Sequence, residues 1–202
     1  MSIISEIFST PVFQYENVKD ITEEELNLVE NETDRFRNVG NSTSLDNYIL
    51  DRKEFKELKS ILTDKINNYF QEVYAPSNKD LELYITQSWL NYTTENEFHH
   101  SHHHSNSIAS GVFYFKADKD DHICFEKDKS FALDIPSDQT NNFNAKVWGV
   151  SVEPSMLVVF PSRVTHSVQQ KSNNNLRISL AFNTFIRGTL GSKQHLTELR
   201  LI

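Results

Sequence analysis

The fold is decided by one stretch of the chain, Leu176-Arg177-Ile178-Ser179-Leu180-Ala181-Phe182-Asn183, in which large apolar residues occupy every second position. A period of two is typical of a β-strand whose two faces meet different surroundings. The large apolar side chains form one face, which is expected to join a hydrophobic core. The other face consists of Arg177, Ser179, Ala181 and Asn183, and it either meets solvent or lines the mouth of a barrel.

Further segments after residue 81 also have strand character. They are rich in Val, Ile, Phe and Tyr and are separated by clusters of Asp, Asn, Ser and Pro. The predicted strands are an alternating run from Leu81 through Asn91, followed by Ala109–Lys116, His122–Phe125, Val147–Val152, Met156–Phe160, Val164–Gln170 and Leu176–Phe185. The Asn-rich turn Ser172–Asn175 predicts a hairpin that places the last two strands side by side.

The N-terminal third has the pattern of two helices. Thr22-Glu23-Glu24-Glu25 matches a capping box, and Leu26, Val29 and Phe36 follow it as a partial apolar stripe. A second helix, with Asp51 as its predicted N-cap, ends after Tyr74 because Pro76 follows; its apolar stripe is Phe55, Leu58, Leu62, Ile66, Tyr69 and Val73. Helices followed by strands predict an α+β protein, in which the helices brace one face of a sandwich or barrel.

Length and composition limit the classes of protein to consider. A chain of 202 residues with 38% hydrophobic residues is expected to form one domain around one core. A net charge of −8 argues against nucleic acid as a partner, because there is no surplus of Lys and Arg to neutralise phosphates. Cys124 is the single cysteine, so an intramolecular disulfide is excluded. The sequence shows neither a signal peptide nor a membrane span, so we expect a soluble, cytoplasmic protein.

A run of five histidines in six positions, His99-His100-Ser101-His102-His103-His104, is the first candidate for chemistry. Imidazole is a common ligand of iron, zinc and copper. On an extended strand His100, His102 and His104 point to one side, and His99 and His103 point to the other. A histidine-rich surface loop remains the alternative interpretation of this run.

A distant histidine and an arginine complete the candidate site. His166 follows the apolar segment that ends in Phe160-Pro161, and Arg177 comes eleven residues after it. A guanidinium suits the binding of a carboxylate, to which the hydroxyl of Ser179 would add a donor. The ordered set of two spaced histidines, a third histidine, an arginine and a serine is more specific than any one of its members.

These residues belong to motifs that resemble the 2-oxoglutarate and Fe(II)-dependent oxygenase superfamily, and most closely a group of small phage and bacterial proteins within it. The resemblance lies mainly between Trp89 and Asn183. Its segments are Ile7-Phe8-Ser9-Thr10-Pro11-Val12, His102-x-His104-x-x-Ser107-x-x-Ser110-Gly111-Val112-x-Tyr114, Phe160-Pro161-Ser162-x-x-x-His166-x-Val168 and Arg177-Ile178-Ser179-x-Ala181-Phe182-Asn183. It implies a double-stranded β-helix, or jelly roll, over about residues 81–188, braced by helices over about residues 18–76.

The resemblance also implies roles for individual residues. His102, His104 and His166 would be the metal ligands, although His100 and His102 satisfy the same spacing as His102 and His104. Arg177, assisted by Ser179, would bind the distal carboxylate of 2-oxoglutarate. The expected pocket residues are Trp89, Asn91, Tyr114 and Asn183. Most of the superfamily has Asp or Glu at the position of His104, so the three-histidine set leaves the native metal open.

The activity implied by the resemblance is that of a dioxygenase, which hydroxylates a substrate with Fe(II), O2 and 2-oxoglutarate and releases succinate and CO2. The sequence does not identify the prime substrate, and it leaves a homodimer open. Two alternatives come from other classes: a cupin-like three-histidine metal enzyme that does not use 2-oxoglutarate, and a non-catalytic jelly-roll binding or assembly protein. The polar segment Asp134–Ala145 is expected to be a long loop that could act as a lid over the site.

Overall fold

The computed structural model describes residues 7–127 and 135–202, which form two antiparallel sheets and two α-helices. In chain order the elements are β1 (Phe13–Tyr15), α1 (Glu23–Glu30), β2 (Arg35–Arg37), β3 (Ser42–Ser44), α2 (Lys56–Tyr74), β4 (Glu82–Thr93), β5 (His99–His102), β6 (Ala109–Lys116), β7 (His122–Glu126), β8 (Val147–Ser151), β9 (Leu157–Pro161), β10 (His166–Val168), β11 (Arg177–Leu190) and β12 (Leu199–Leu201). The predicted α+β composition is confirmed.

The strands are divided between a larger and a smaller sheet. The larger sheet has the order β1-β9-β6-β11-β4-β3-β2, with β12 paired to β11 beyond this path, and the smaller sheet has the order β5-β10-β7-β8. From β4 to β11 the chain passes repeatedly from one sheet to the other. Residues that are distant in sequence are therefore brought to facing positions on the two sheets.

Helix α2 covers the outer face of the larger sheet. Its buried Leu58, Leu62, Ile66 and Tyr69 join a cluster with Phe182 and other apolar side chains of the larger sheet. Each such side chain contributes about 1.5–3 kcal/mol when it is removed from water. A second apolar cluster contains residues of both sheets, which places it between them; its members include Val112, Tyr114, Ile123, Phe125, Val158 and Phe160.

The alternation along β11 is confirmed. Ile178, Leu180 and Phe182 belong to the cluster under the helices, whereas Ala181 belongs to the cluster that contains residues of both sheets. Strand β9 is buried at every position, because its two faces contact these two different clusters. The face of β11 that carries Arg177 is thus turned inwards, away from solvent.

Helix α1 begins as predicted but is shorter than the apolar stripe suggested. The hydroxyl of Thr22 accepts a hydrogen bond from the Glu25 amide at 3.2 Å, and the Glu25 carboxylate accepts one from the Thr22 amide at 3.0 Å. These two bonds make the capping box. The helix ends at Glu30, so Phe36 lies beyond it on β2 and is 47% exposed.

Helix α2 ends at Tyr74 as predicted, and Ala75 follows in a left-handed conformation. Its start differs from the prediction, because Phe55 and not Asp51 is the residue that precedes the first helical turn. Asp51 closes a separate 3-10 turn, Ile49–Asp51, and its carboxylate accepts a hydrogen bond from Lys59 at 2.5 Å. A cap prediction from residue type alone cannot distinguish a helix start from the turn before it.

The predicted hairpin between the strands at 164–170 and 176–185 is wrong. Strand β10 pairs with β5 and β7, whereas β11 pairs with β4, β6 and β12. The connection crosses from the smaller sheet to the larger one. It is anchored at Lys171, whose amide donates to the Glu97 carbonyl at 2.8 Å and whose carbonyl accepts from the Asn96 amide at 2.9 Å.

The polar segment before β8 is a loop over residues 135–146, as predicted, while Asp134 lies outside the described residues. A role for this loop as a lid stays a prediction. In the described part of the chain, neither helix has the length and apolar character needed to cross a membrane.

Candidate metal centre and adjoining cavity

One cavity collects most of the residues that the sequence singled out. It is lined by residues of β4, β5, β6, β7, β10 and β11 and of the loop after β5. Its lining residues are Trp89, Asn91, Thr93, His99, His102, His104, Val112, Tyr114, Ile123, His166, Val168, Arg177, Ser179 and Ala181. Three histidines lie at one end of this set, and an arginine that is ion-paired with buried groups belongs to the same lining.

The three histidines expected to bind a metal lie together. Each of His102, His104 and His166 offers one ring nitrogen, and these three atoms lie within 4.8 Å of one another. The Nε2 atoms of His104 and His166 are 3.3 Å apart. Two nitrogens that bind one ion at about 2.1 Å lie about 3 Å apart when the angle at the ion is near a right angle, so this spacing suits a shared metal.

The backbone holds two of the imidazoles in the orientation that a metal requires. The Nδ1 of His102 lies 2.8 Å from the His100 carbonyl, and the Nδ1 of His166 lies 3.0 Å from the Val164 carbonyl. A carbonyl oxygen can only accept, so each Nδ1 carries the proton and each Nε2 is left with a lone pair. This is the arrangement found around metal-bound histidines.

His104 is placed by contacts from the larger sheet and from the turn after β9. The Trp89 ring packs against the His104 imidazole with centroids 5.6 Å apart. The backbone amide of His104 donates to the Ser162 carbonyl at 2.9 Å. Because Ser162 lies four residues before His166, one backbone hydrogen bond ties the two histidine-bearing segments together.

A buried chain of hydroxyls reinforces this connection and explains the serines of the sequence motifs. Ser162 donates to Ser107 at 2.7 Å and lies 2.8 Å from Ser110. Ser110 in turn donates to the side-chain oxygen of Asn183 at 2.8 Å. Asn183 therefore braces the loop after β5 and is not among the residues that line the cavity, where the sequence had placed it.

Simple alternation along the histidine run does not hold, because β5 contains an irregularity. His102 pairs with His166 and His99 pairs with Val168, so two residues of β5, His100 and Ser101, lie opposite one residue of β10. Such a bulge turns positions three apart to the same side. His99 consequently lines the cavity beside His102, with ring centroids 4.5 Å apart, whereas His100 does not line it.

Burial keeps the candidate ligands uncharged. Desolvation, together with a smaller effect of the neighbouring imidazoles, lowers the pKa of His166 to about 3 and that of His104 to about 4. The pKa of His102 is lowered for the same main reason. A histidine must be neutral to bind a metal, so no proton has to be displaced from these rings at neutral pH.

A second set of lining residues, which carries hydrogen-bonding and charged side chains other than histidine, lies along the larger sheet. Arg177 and Ser179 on β11 face the same cavity as Asn91 and Thr93 on β4, with Ser179 paired to Asn91 and Arg177 paired to Thr93. Tyr114 on β6 pairs with Ser179 from the other side. Within the described chain, the buried Oδ1 of Asn91 has no hydrogen-bond partner, which is expected of a group that receives a ligand.

Sequence reasoning missed several residues of this cavity. His99 was placed on the wrong face because the bulge is not visible in the spacing, and Thr93 lies just beyond the predicted end of its strand. Ile123 and Val168 fall within predicted strands, but their cross-sheet position has no sequence signal. Asp121 does not line the cavity, but its carboxylate accepts a hydrogen bond from the lining residue Arg177 at 3.0 Å; its acidic turn has the sequence of an exposed surface turn.

Fold and site together define a two-sheet protein with a candidate mononuclear metal centre made of histidines. Residues 87–183 match the model of a protein family described as "Putative 2OG-Fe(II) oxygenase". The predicted resemblance to the 2-oxoglutarate and Fe(II)-dependent oxygenase superfamily is thereby confirmed. No curated protein sequence matches the chain.

Solved structures share the fold at low sequence identity. An oxidoreductase of the 2OG-Fe(II) oxygenase family from Burkholderia pseudomallei has a TM-score of 0.58 at 11% identity, covering 86% of this chain and 83% of its own. HygX from Streptomyces hygroscopicus, solved with nickel and 2-oxoglutarate, has a TM-score of 0.58 at 13% identity, covering 87% and 82%. A prolyl-4-hydroxylase from Pseudomonas putida has a TM-score of 0.56 at 12% identity, covering 88% and 94%.

Proposed function

We propose that this chain is a 2-oxoglutarate and Fe(II)-dependent dioxygenase that hydroxylates a substrate and releases succinate and CO2. One observation carries the proposal: three converging imidazoles and a buried arginine line the same cavity. The family match over residues 87–183 supports it, as does the likeness to a structure solved with nickel and 2-oxoglutarate. The histidine end of the cavity would bind the metal, and the arginine end would bind the distal carboxylate of 2-oxoglutarate.

In this proposal His102, His104 and His166 hold the metal through their Nε2 atoms. All three are neutral ligands, so the ion keeps its full charge until an anionic co-substrate arrives. When bound, Fe(II) and 2-oxoglutarate together would supply the activation of O2 that hydroxylation requires. The carbonyls of His100 and Val164 fix the two rings whose Nδ1 atoms they contact.

Arg177 and Ser179 would bind the distal carboxylate of 2-oxoglutarate. The guanidinium offers paired N–H groups that match a carboxylate, and its 4% exposure means that this interaction is little weakened by water. Asn91, Thr93 and Tyr114 stand around it on neighbouring strands. Apolar lining from Trp89, Val112, Ile123, Val168 and Ala181 would exclude water from the rest of the cavity.

We further propose that β4 to β11 are the eight strands of a jelly roll within a single domain. Four of them lie in each sheet, in the orders β9-β6-β11-β4 and β5-β10-β7-β8, and all their pairings are antiparallel. This arrangement agrees with a double Greek key. The helices would then brace the outer face of one sheet.

A three-histidine metal enzyme that does not use 2-oxoglutarate is the second candidate, because the donor set contains no carboxylate. It gives Arg177 no role in binding. The non-catalytic alternative required the histidine run to be a surface loop. Against that, His102 and His104 of the run are half-buried, and their ring nitrogens converge with that of the buried His166.

The test of the proposed function is succinate formation coupled to O2 uptake when the protein is supplied with 2-oxoglutarate. We expect both to require Fe(II) and to be lost in His166→Ala. Metal binding without any binding of 2-oxoglutarate would instead favour the second candidate. His195→Ala is a suitable control, because this exposed histidine does not line the cavity.

A further inference from the structure

Arg177 is held by a buried ion cluster that the oxygenase resemblance does not assign. We propose that Asp121 and Lys171 are positioning residues for Arg177: Asp121 fixes the direction of the guanidinium, and Lys171 preserves its positive charge towards the cavity. Both effects would act on the binding of the distal carboxylate of a 2-oxo dicarboxylate. This inference rests on the proposed function, since it concerns the same co-substrate site.

The contacts of Asp121 leave its carboxylate little freedom. Its Oδ1 accepts a hydrogen bond from Nη1 of Arg177 at 3.0 Å, and its Oδ2 accepts from the Asp118 amide at 2.8 Å. Its backbone is fixed as well, because its amide donates to the Asp118 carbonyl and its carbonyl accepts from the Val152 amide. The aspartate is therefore a rigid anchor for one edge of the guanidinium.

The remaining donors of Arg177 are available to a ligand. Among the described residues, Asp121 is the one group to which Arg177 donates a hydrogen bond, and its side chain is 4% exposed. The arginine also lines the cavity beside Ser179 and Thr93. An arginine whose rotamer is already fixed loses less conformational entropy when it binds a carboxylate, so the anchor favours binding.

An isolated pair of Arg177 and Asp121 would carry no net charge and would attract an anion only weakly. Lys171 changes this balance, because its ammonium lies 3.2 Å from the Asp121 carboxylate and is 3% exposed. It also contacts Asp118 at 2.7 Å, but the Asp118 side chain is 28% exposed and is screened by water. The buried part of the cluster, Arg177, Lys171 and Asp121, thus has a net charge of +1.

Buried ion pairs can also be purely structural, so the position of this one matters. Lys171 lies on the connection that crosses from the smaller to the larger sheet, and Asp121 lies immediately before β7. Asp121 contacts Arg177 directly, and Lys171 contacts Asp121, so the cluster meets β11 at Arg177, a residue that lines the cavity. A cluster with only a structural role would affect all ligands of the cavity alike, whereas a positioning role concerns only ligands with a second carboxylate.

The experiment compares two oxo acids on the Ni(II)-loaded protein by calorimetric titration. 2-Oxoglutarate has the distal carboxylate, and 2-oxobutanoate lacks it. Combining Asp121→Asn with Lys171→Met removes one negative and one positive charge, so the buried net charge stays at +1 and only the charged anchor of Arg177 is lost. We expect this combined variant to bind 2-oxoglutarate about tenfold more weakly, which is the size of one hydrogen bond to a charged group. Its affinities for 2-oxobutanoate and for Ni(II) should stay unchanged.

Lys171→Met provides a second variant in which Arg177 keeps its aspartate. The expected result is the same selective loss, because Asp121 then neutralises Arg177. Glu30→Gln is the control, since it breaks the partly exposed ion pair of Lys116 and Glu30 at 2.7 Å, outside the cavity. Thermal unfolding of each variant shows that the protein is folded at the temperature of the titration.

The outcomes separate this inference from the proposed function. If the Ni(II)-loaded wild type does not bind 2-oxoglutarate, the proposed function fails. If the wild type binds it and both the folded combined variant and the folded Lys171→Met variant bind it equally well, the positioning role is overturned. An equal loss for both oxo acids would also overturn it, because the cluster would then act on the whole cavity and not on the distal carboxylate.

Discussion

The two ends of the cavity are built in opposite ways. The histidine end is uncharged: its rings are kept neutral by burial, and two of them are oriented by carbonyls only two residues away in the chain. The arginine end is charged, and the charges around it come from different elements: Asp121 lies 56 residues before Arg177, and Lys171 lies on the connection that leads to β11. Local contacts suffice to aim a neutral ligand, whereas a buried charge needs compensation from several elements.

This difference predicts that the two ends respond separately to mutation. Changes at the histidine end should act on metal affinity, and changes at the arginine end should act on the oxo acid alone. A variant that impaired both equally would show that the cavity behaves as one unit.

The largest effect is expected from His166→Ala, which removes the most buried of the three candidate ligands. Metal affinity should fall by more than about 100-fold, because even the partners that orient metal ligands are worth about 10- to 100-fold. Calorimetric titration with Ni(II) measures this. His122→Ala is the matched control, since its ring lies near Ser151 outside the cavity; a similar loss there would point to a general effect on folding.

The register of the histidine run is tested by comparing His104→Ala with His100→Ala. His104 shares the cluster with His166, whereas His100 does not line the cavity. We expect the first variant to lose about 100-fold in affinity for Ni(II), because it removes a direct ligand, and the second to bind within about threefold of the wild type. The reverse result would assign the metal to His100 and His102.

At the arginine end, Arg177→Ala should lower the affinity for 2-oxoglutarate by about tenfold to 100-fold, the range for hydrogen bonds to a charged group. Affinity for Ni(II) should stay unchanged. Arg187→Ala is a control on the same strand, because Arg187 pairs with Glu82 at 2.6 Å and is 52% exposed. Unaltered binding of 2-oxoglutarate by Arg177→Ala would remove the arginine from the co-substrate site.

The smallest effect on ligand binding is expected from a change on the face of the larger sheet that packs against helix α2. In Gly111→Ala the new methyl group would lie 2.2 Å from the Phe182 ring, so the free energy of unfolding should fall by about 1–3 kcal/mol. Gly149→Ala, whose nearest neighbour is at 3.7 Å, is the control. Urea unfolding measures the stability, and the folded variants should bind Ni(II) and 2-oxoglutarate normally.

Much of the fold could be predicted because local sequence determines it. The Thr22 and Glu25 capping box, the end of α2 before Pro76 and the two faces of β11 all depend on neighbouring residues. The hairpin before β11 could not be predicted correctly, because sequential strands usually pair and this connection instead crosses between sheets. The short strands β1, β2, β3 and β12 lack enough residues to show a period.

The candidate site divides in the same way. The spacing of His102, His104 and His166 and the family motifs predicted a cluster that the structure brings together. His99 was misplaced because a bulge moves it to the cavity side of β5. Asp121 and Lys171 could not be found at all, since a charged residue in a polar turn is usually solvated and only the tertiary fold brings these two together.

The proposed metal and co-substrate sites are tested most directly by a crystal structure of the Fe(II)-loaded protein with 2-oxoglutarate, prepared without O2 and with anomalous data at the iron edge. We predict one iron peak about 2.1 Å from the Nε2 atoms of His102, His104 and His166, and the distal carboxylate on Arg177 and Ser179. Iron bound through His100, or 2-oxoglutarate bound away from Arg177, would contradict the account.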